Sequence, residues 1–259
     1  EEYRGKIIIG ADGANSVVAA KLGVGKNDPA HEIIALRAYY TGIGGMKNNI
    51  ELHFVDSILP GYFWIFPLEN GAANVGVGMV TDDFKKKGVD LRKAMIDITK
   101  NHPLFKERFA NASIEGGEAA IKGWTLPVGS FHRKNHFNGA LLIGDAASLI
   151  DPFTGEGIGN ASFSGITAAD VAARAIDEGN ASEERLKEYD TVLWKEIGAE
   201  LGTSYNLQKW GRHKMLLNLI IKKAKRSQKI RDVVSGMLAN EIPRGDLINP
   251  MFLLQVLMA

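Results

Sequence analysis

The stretch Leu141–Ala161, LLIGDAASLIDPFTGEGIGNA, decides how this chain is read. An apolar run ends abruptly at Gly144-Asp145. Pro152 follows, then glycines at 155, 157 and 159, then an Ala- and Ser-rich segment that reads as a helix over 157–177. Asp145 therefore sits where a strand ends, and open α/β sheets bind ligands outside the carboxyl ends of their strands. A carboxylate there accepts hydrogen bonds from sugar or polyol hydroxyls. The glycines remove side chains at the helix start, so a flat ligand can approach the backbone. Exposed N–H groups and the positive helix end favour an acceptor or a developing anion. Pro152 forces an extended turn and lacks a donor, which suits a wall beside a ring.

Working outward, Lys6–Ile9 is a short apolar run that suits a buried strand. It stops at GADGANS (Gly10–Ser16), and Ser16–Leu22 reads as a short helix ending at Gly23. Four segments between residues 31 and 80 read as strands separated by Gly, Asn and Pro turn signals: EIIALRAYYTGI, NIELHFV, GYFWIFPL and NVGVGMV. Residues 83–109 have helical spacing with a break at His102-Pro103; EAAIKGWTLPVG reads as a strand with a bend, Ala140–Ile143 as a second buried strand, and 183–239 as mostly helix. Two strands, each ending in a Gly/Asp turn before a helix, thus flank a β-rich middle. That pattern predicts a nucleotide-binding α/β layer interrupted by a sheet domain. The expected division is 1–25 with 135–180 for the cofactor part, 26–134 for a sheet domain that binds substrate, and 181–259 for a helical region.

Residues 60–78 read PGYFWIFPLENGAANVGVG: Tyr-x-Trp-x-Phe-Pro, eight residues, then Gly-x-Gly. On a strand, Tyr62, Trp64 and Phe66 share one face. They form either a flat apolar wall for a substrate chain or a sheet face packed on its own core.

The Gly-Asp string resembles the second flavin fingerprint of FAD-dependent oxidoreductases with the p-hydroxybenzoate hydroxylase type of fold, and GADGANS resembles their other internal motif. Tyr-x-Trp-x-Phe-Pro resembles a motif of the geranylgeranyl reductase family within that fold. The resemblance implies a mixed α/β (α+β) chain: part of an FAD-binding Rossmann-like layer, a mainly antiparallel substrate-binding sheet and a C-terminal helical region. It implies that Gly144 and Asp145 place a carboxylate on the ribityl chain, that Pro152, Gly155, Gly157 and Ile158 lie along the pyrimidine edge of the ring, and that Gly10 and Asp12 order the turn near the pyrophosphate. Asp12 also fits as a plain turn residue. Tyr62 and Trp64 would face the substrate cavity, Phe66 would shape the strand end, and Gly76 and Gly78 would let a strand pass close to ring or substrate. The implied activity is reduction of carbon–carbon double bonds in an isoprenoid chain by hydride from reduced flavin, with NAD(P)H or a ferredoxin as electron source. A flavin monooxygenase or halogenase is the alternative on this fold, and a non-catalytic lipid-binding fragment is a second.

Proteins of this family begin with a strand and G-x-G-x-x-G, which occurs nowhere here; Ser162 stands where Gly157 and Gly159 would need a third glycine. The resemblance covers roughly the last two-thirds of a family protein, and the start without Met reads as the continuation of a longer chain.

The 259 residues carry a net charge of +1, so charge indicates no nucleic-acid partner, and the lack of cysteine excludes disulfides and thiolate chemistry. The six histidines show no acidic companion pattern, so no metal site is expected. No residue stands out as a proton donor: the ordinary pKa of Tyr62, near 10, makes it a reluctant acid. Arg37 lies in an expected strand and faces either solvent or the cavity. Residues 201–231 hold nine Lys and Arg and no Asp or Glu, interleaved with MLLNLII, so 209–231 reads as a solvated helix face or a peripheral membrane contact. No apolar run is long enough to span a bilayer, which makes a cytoplasmic location the default. The tail MFLLQVLMA (251–259) is expected to pack on the body or to close a lipid tunnel.

Overall fold

In a computed structural model, which describes residues 2–25 and 28–238, the strands are β1 (Ile8–Gly10), β2 (Glu32–Thr41), β3 (Glu51–His53), β4 (Tyr62–Pro67), β5 (Ala72–Val80), β6 (Ser113–Ile114), β7 (Lys122–Pro127), β8 (His136–Phe137) and β9 (Ala140–Leu142). The helices are α1 (Val17–Lys21), α2 (Thr81–Lys87), α3 (Leu91–Asn101), α4 (Ile158–Asp177), α5 (Glu183–Trp210), α6 (Lys214–Arg226) and α7 (Gln228–Leu238). The described residues within Glu1–Lys26 and Pro127–Ala259 form one compact unit, and those within Asn27–Leu126 form another. The expected tail at 251–259 lies outside the described residues. Among the described residues no helix is long and apolar enough to cross a membrane.

In the first unit β1 pairs in parallel with β9, Ile8 opposite Ala140 and Gly10 opposite Leu142, and β8 pairs antiparallel on the other side of β9. The two distant Gly/Asp turns are therefore brought side by side at the same sheet end. Helix α4 lays a stripe of small residues, Ser164, Ala168, Val171, Ala172 and Ala175, into the core. Leu186, Tyr189 and Leu193 of α5 join it there with Leu141 and Leu142 of β9. Burial of each large apolar side chain contributes roughly 1.5–3 kcal/mol. The Tyr189 hydroxyl donates to the Leu142 carbonyl at 2.8 Å, satisfying the one polar atom of a fully buried ring.

One expectation is corrected here. The strand near the start is Ile8–Gly10 rather than Lys6–Ile9, and it is not buried: Ile8 is 57% and Ile9 39% exposed. Among the described residues β1 has a neighbour on one side only, so its apolar composition does not bring burial.

The second unit is an antiparallel sheet of order β3-β4-β5-β2-β6, with β7 also paired to β2. One face carries the core: Phe63 and Ile65 of β4, Val75 and Val77 of β5, and Ala38 and Tyr40 of β2, with Met95, Ile98 and Phe105 from outside the sheet. The expected helical stretch 83–109 is broken earlier than read, by Gly88 in the left-handed region at φ 60°; Asp90 then caps α3 by accepting from the Lys93 N–H. Beyond Asn101 the chain runs in turns.

Candidate functional site

Gly144 follows directly on β9 and Ile143, at φ 56°. A β-carbon there would stand 3.1 Å from the Ala161 β-carbon, and its N–H donates to Ser164 Oγ at 3.0 Å. Gly144 thus seats the start of α4 against the strand end. The next residue, Asp145, is half-buried, and its carboxylate takes no hydrogen bond from any described residue. Burial pushes its pKa up. A β-carbon at Gly157 would lie 3.5 Å from Asp145 Oδ1 and 3.0 Å from Ile150 Cγ1. Asp145 and the glycine opening α4 therefore face each other.

The intervening loop is held from within. Asp151 Oδ1 accepts from the N–H groups of Phe153 and Thr154, at 2.9 and 2.8 Å, and from the Thr154 hydroxyl at 3.0 Å. Its carbonyl accepts from the N–H of Gly155, which sits at φ 75°. Pro152 is buried, and its carbonyl accepts from Gln208 Nε2 of α5 at 2.6 Å. Glu156 Oε1 accepts from the N–H of Gly159 at 2.9 Å, so one of the donors at the start of α4 is already taken. The Ile158 side chain is 81% exposed. Asp151 has a sequence signal in the Asp-Pro-x-Thr turn; Gln208, some fifty residues on, has none.

Gly10 is packed: a β-carbon would meet Leu142 Cδ2 at 2.6 Å and Val18 Cγ1 at 2.9 Å. Asp12 caps α1, accepting from the Ser16 hydroxyl at 2.5 Å and from the N–H groups of Val17 and Val18 at 2.7 and 3.1 Å. The slight desolvation of this carboxyl is outweighed by those bonds, which hold it below the usual carboxylate range. The geometry is that of a turn-ordering residue.

In the second unit the residues of β4 alternate as read: Phe63 and Ile65 are fully buried, while Tyr62, Trp64 and Phe66 lie half-buried on the opposite face. Their rings form a row, Tyr62 to Trp64 and Trp64 to Phe66 each 5.9 Å between centroids. Trp64 Nε1 donates to Asn74 Oδ1 at 2.9 Å. The wall is thus a second face of the sheet, separate from the packed core. Gly76 makes room for the indole of Trp64 itself, since a β-carbon there would be 2.2 Å from Cζ2.

Two histidines do have acidic companions, contrary to the sequence reading. His53 Nε2 lies 2.9 Å from Glu51 Oε2, and His136 Nδ1 lies 2.6 Å from Asp190 Oδ2. Glu51 and His53 are two apart on one strand and were legible as a pair; Asp190 reaches His136 only through the packing of α5. Among the described residues no three potential ligands gather as a metal site.

Residues 32–118, which hold this aromatic face, match the family model described as the geranylgeranyl reductase catalytic domain. Digeranylgeranylglycerophospholipid reductases of Methanosarcina acetivorans and Methanocaldococcus jannaschii are each 36% identical, over 200 and 201 residues. The chain belongs to the geranylgeranyl reductase family. Those alignments cover 75% and 76% of the chain but 46% and 48% of the relatives, so this member spans about half the length of the curated relatives it matches. A geranylgeranyl bacteriochlorophyll reductase-like protein of Thermoplasma acidophilum superposes with a TM-score of 0.73 at 25% identity, over 81% of this chain and 51% of that one. A flavin-dependent brominase shares the fold with a TM-score of 0.61 at 22% identity, over 88% of this chain and 57% of its own. The fold is that of flavin-dependent oxidoreductases.

Proposed function

We propose that this geranylgeranyl reductase family chain serves in reducing carbon–carbon double bonds of an isoprenoid lipid, with FAD as the flavin. The observation that carries the reading is the aromatic face of β4 with its glycine-cleared neighbour β5, inside the segment that matches the reductase catalytic domain. The first unit fits a flavin on its own terms. Asp145 is a desolvated carboxylate with no partner among the described residues, suited to polyol hydroxyls, and Gly157 brings the backbone that opens α4 close beside it. When bound, reduced flavin supplies the hydride. Asp145 would hold the ribityl chain, and the N–H groups around Gly157 and Ile158 would favour negative charge at the ring edge. Gly10 and Asp12 shape the turn assigned to the pyrophosphate. Tyr62, Trp64 and Phe66 would hold the isoprenoid chain by apolar contact and exclude water from it. Helix α6 is the candidate for peripheral membrane contact, with Met215 88% exposed among its basic residues.

The test is titration of the purified chain with FAD, followed by dithionite reduction with a geranylgeranyl lipid under anaerobic conditions. Bound-flavin absorbance and a mass gain of the lipid by paired hydrogens support the reading. Failure to take up FAD, or uptake without reduction, overturns it. Sedimentation with anionic vesicles tests α6 separately.

A further inference from the structure

The face that carries Trp64 is not uniformly apolar, and its polarity has a direction. In the sheet register Leu52 stands opposite Trp64, Trp64 opposite Gly76, and Gly76 opposite Arg37. Paired residues of neighbouring strands point to the same side, so these four form one row across β3, β4, β5 and β2. The adjacent register fixes which side: Ile65, Val75 and Ala38 are partners along the next row and all are fully buried in the core. The row from Leu52 to Arg37 therefore lies on the opposite, half-open face and runs from an aliphatic end through an indole to a cation. At strand spacing it is about 14 Å long.

Arg37 differs from the arginines that this fold pairs with carboxylates. Arg108 is held in a fork by both oxygens of Glu51, and Arg174 and Arg185 are paired with carboxylates of α4, α5 and the turn between them. The Arg37 guanidinium makes no ion pair with any described residue; it rests over the Tyr39 ring, 4.5 Å from the centroid. Towards β5 and β4 no acidic side chain shares its face at the neighbouring register positions, which are Ala35 and Tyr39 on β2, Asn74, Gly76 and Gly78 on β5, and Tyr62, Trp64 and Phe66 on β4. A planar, weakly hydrated cation already stacked on an aromatic ring keeps its fork of donors for an anion, and phosphate matches that fork.

We infer that Arg37 anchors the phosphate of a phosphorylated isoprenoid lipid whose chain lies along Trp64 and Leu52. The inference rests on the proposed lipid-binding role of this face and adds to it the residue that holds the head group and the orientation of the chain. The phosphate can belong to a monoester of the free prenyl alcohol or to a prenyl glycerophospholipid; both present the same anion next to an isoprenoid chain.

The experiment is binding to the purified chain, followed by tryptophan fluorescence, of geranylgeranyl phosphate, digeranylgeranylglyceryl phosphate, geranylgeraniol and inorganic phosphate. At least one phosphorylated lipid is expected to bind roughly tenfold tighter than the alcohol, the size of one charge-assisted contact. R37Q should erase that gap while leaving alcohol binding unchanged, and R37K should retain part of it. The tighter of the two phosphorylated lipids identifies the source of the head group. A gap that survives in R37Q, or no gap in the parent chain, overturns the anchor while leaving the apolar face intact. Inorganic phosphate competing as well as the lipids reduces the site to a simple anion site and also overturns it. No binding of any lipid, the alcohol included, overturns the reading of the face itself. Unchanged melting of R37Q and R37K separates these outcomes from misfolding.

Discussion

The indole of Trp64 occupies the space that a side chain at Gly76 would need. A β-carbon at Gly76 would sit 2.2 Å from Trp64 Cζ2 and 2.3 Å from the Leu36 carbonyl oxygen, whereas one at Gly78 would sit 3.6 Å from Cζ3 of the same ring. The two glycines of the Gly-x-Gly pair are therefore not equivalent. Gly76→Ala should destabilise the sheet unit by about 3 kcal/mol, and Gly78→Ala by well under 1 kcal/mol. Urea unfolding followed by tryptophan fluorescence separates them. Adding Trp64→Ala to Gly76→Ala should recover only part of the loss, because the clash with the Leu36 backbone remains; equal costs at both glycines would refute the asymmetry.

Asp145 combines exposure to a ligand with a cost to the fold. Its pKa is raised by burial, so the folded state holds its proton more tightly than the unfolded chain. The penalty is absent below the ordinary aspartate range and develops as pH rises through it to the raised folded value. Asp145→Asn should therefore be more stable than the parent at neutral pH, with the gain vanishing in acid. The same variant should bind FAD roughly tenfold more weakly, since a carboxylate is the stronger acceptor for polyol hydroxyls. Melting curves across pH and an FAD titration check the two halves. A variant that loses stability at neutral pH would show that Asp145 has a structural partner.

Much of this was legible because local chemistry and tertiary role agree. The glycines and Asp145 lie within one short string, and the aromatic wall follows from the two-residue period of a strand. The exposure of Ile8 and Ile9 was not legible, because an apolar run states a preference and not the presence of a neighbour. Nor were Gln208 behind Pro152 and Asp190 beside His136, since each pair is more than fifty residues apart and meets only through the packing of α5. The early break at Gly88 had a signal, glycine followed by a capping Asp90, that the helical spacing on either side obscured.

The Glu51–His53–Arg108 cluster makes the sheet unit acid-sensitive. Burial comes first in lowering the His53 pKa, against the raising effect of Glu51. Glu51 is itself held below the usual carboxylate range, first by the Arg108 guanidinium. A lowered histidine binds its proton less well folded than unfolded, so stability falls as pH drops through the ordinary histidine range; Glu51 adds a second loss in the carboxylate range. His53→Gln should flatten the first limb and leave the second. Arg108→Leu should cost about 1–3 kcal/mol at neutral pH, because it leaves a partly buried carboxylate without its fork. Melting temperature against pH for the three proteins is the measurement, and an unchanged first limb in the His53 variant would assign it to another group.

The loop bearing Pro152 is braced from α5, and that brace should be felt by the cofactor. Gln208 Nε2 donates to the buried Pro152 carbonyl at 2.6 Å, while Gln208 Oε1 and Ser204 Oγ, one helical turn apart, are buried without a partner among the described residues. Gln208→Leu keeps the bulk but strands the carbonyl, which costs about 1–3 kcal/mol and frees the turn that sets Gly155 and Gly157. FAD affinity should fall together with stability. Ser204→Ala removes a hydroxyl that already lacks a hydrogen bond, so it should leave stability unchanged or raise it and leave FAD affinity alone. Thermal melting with and without FAD tests both. If Gln208→Leu loses stability yet keeps full FAD affinity, the brace serves the fold only, and the geometry of the loop is set by Asp151 within it.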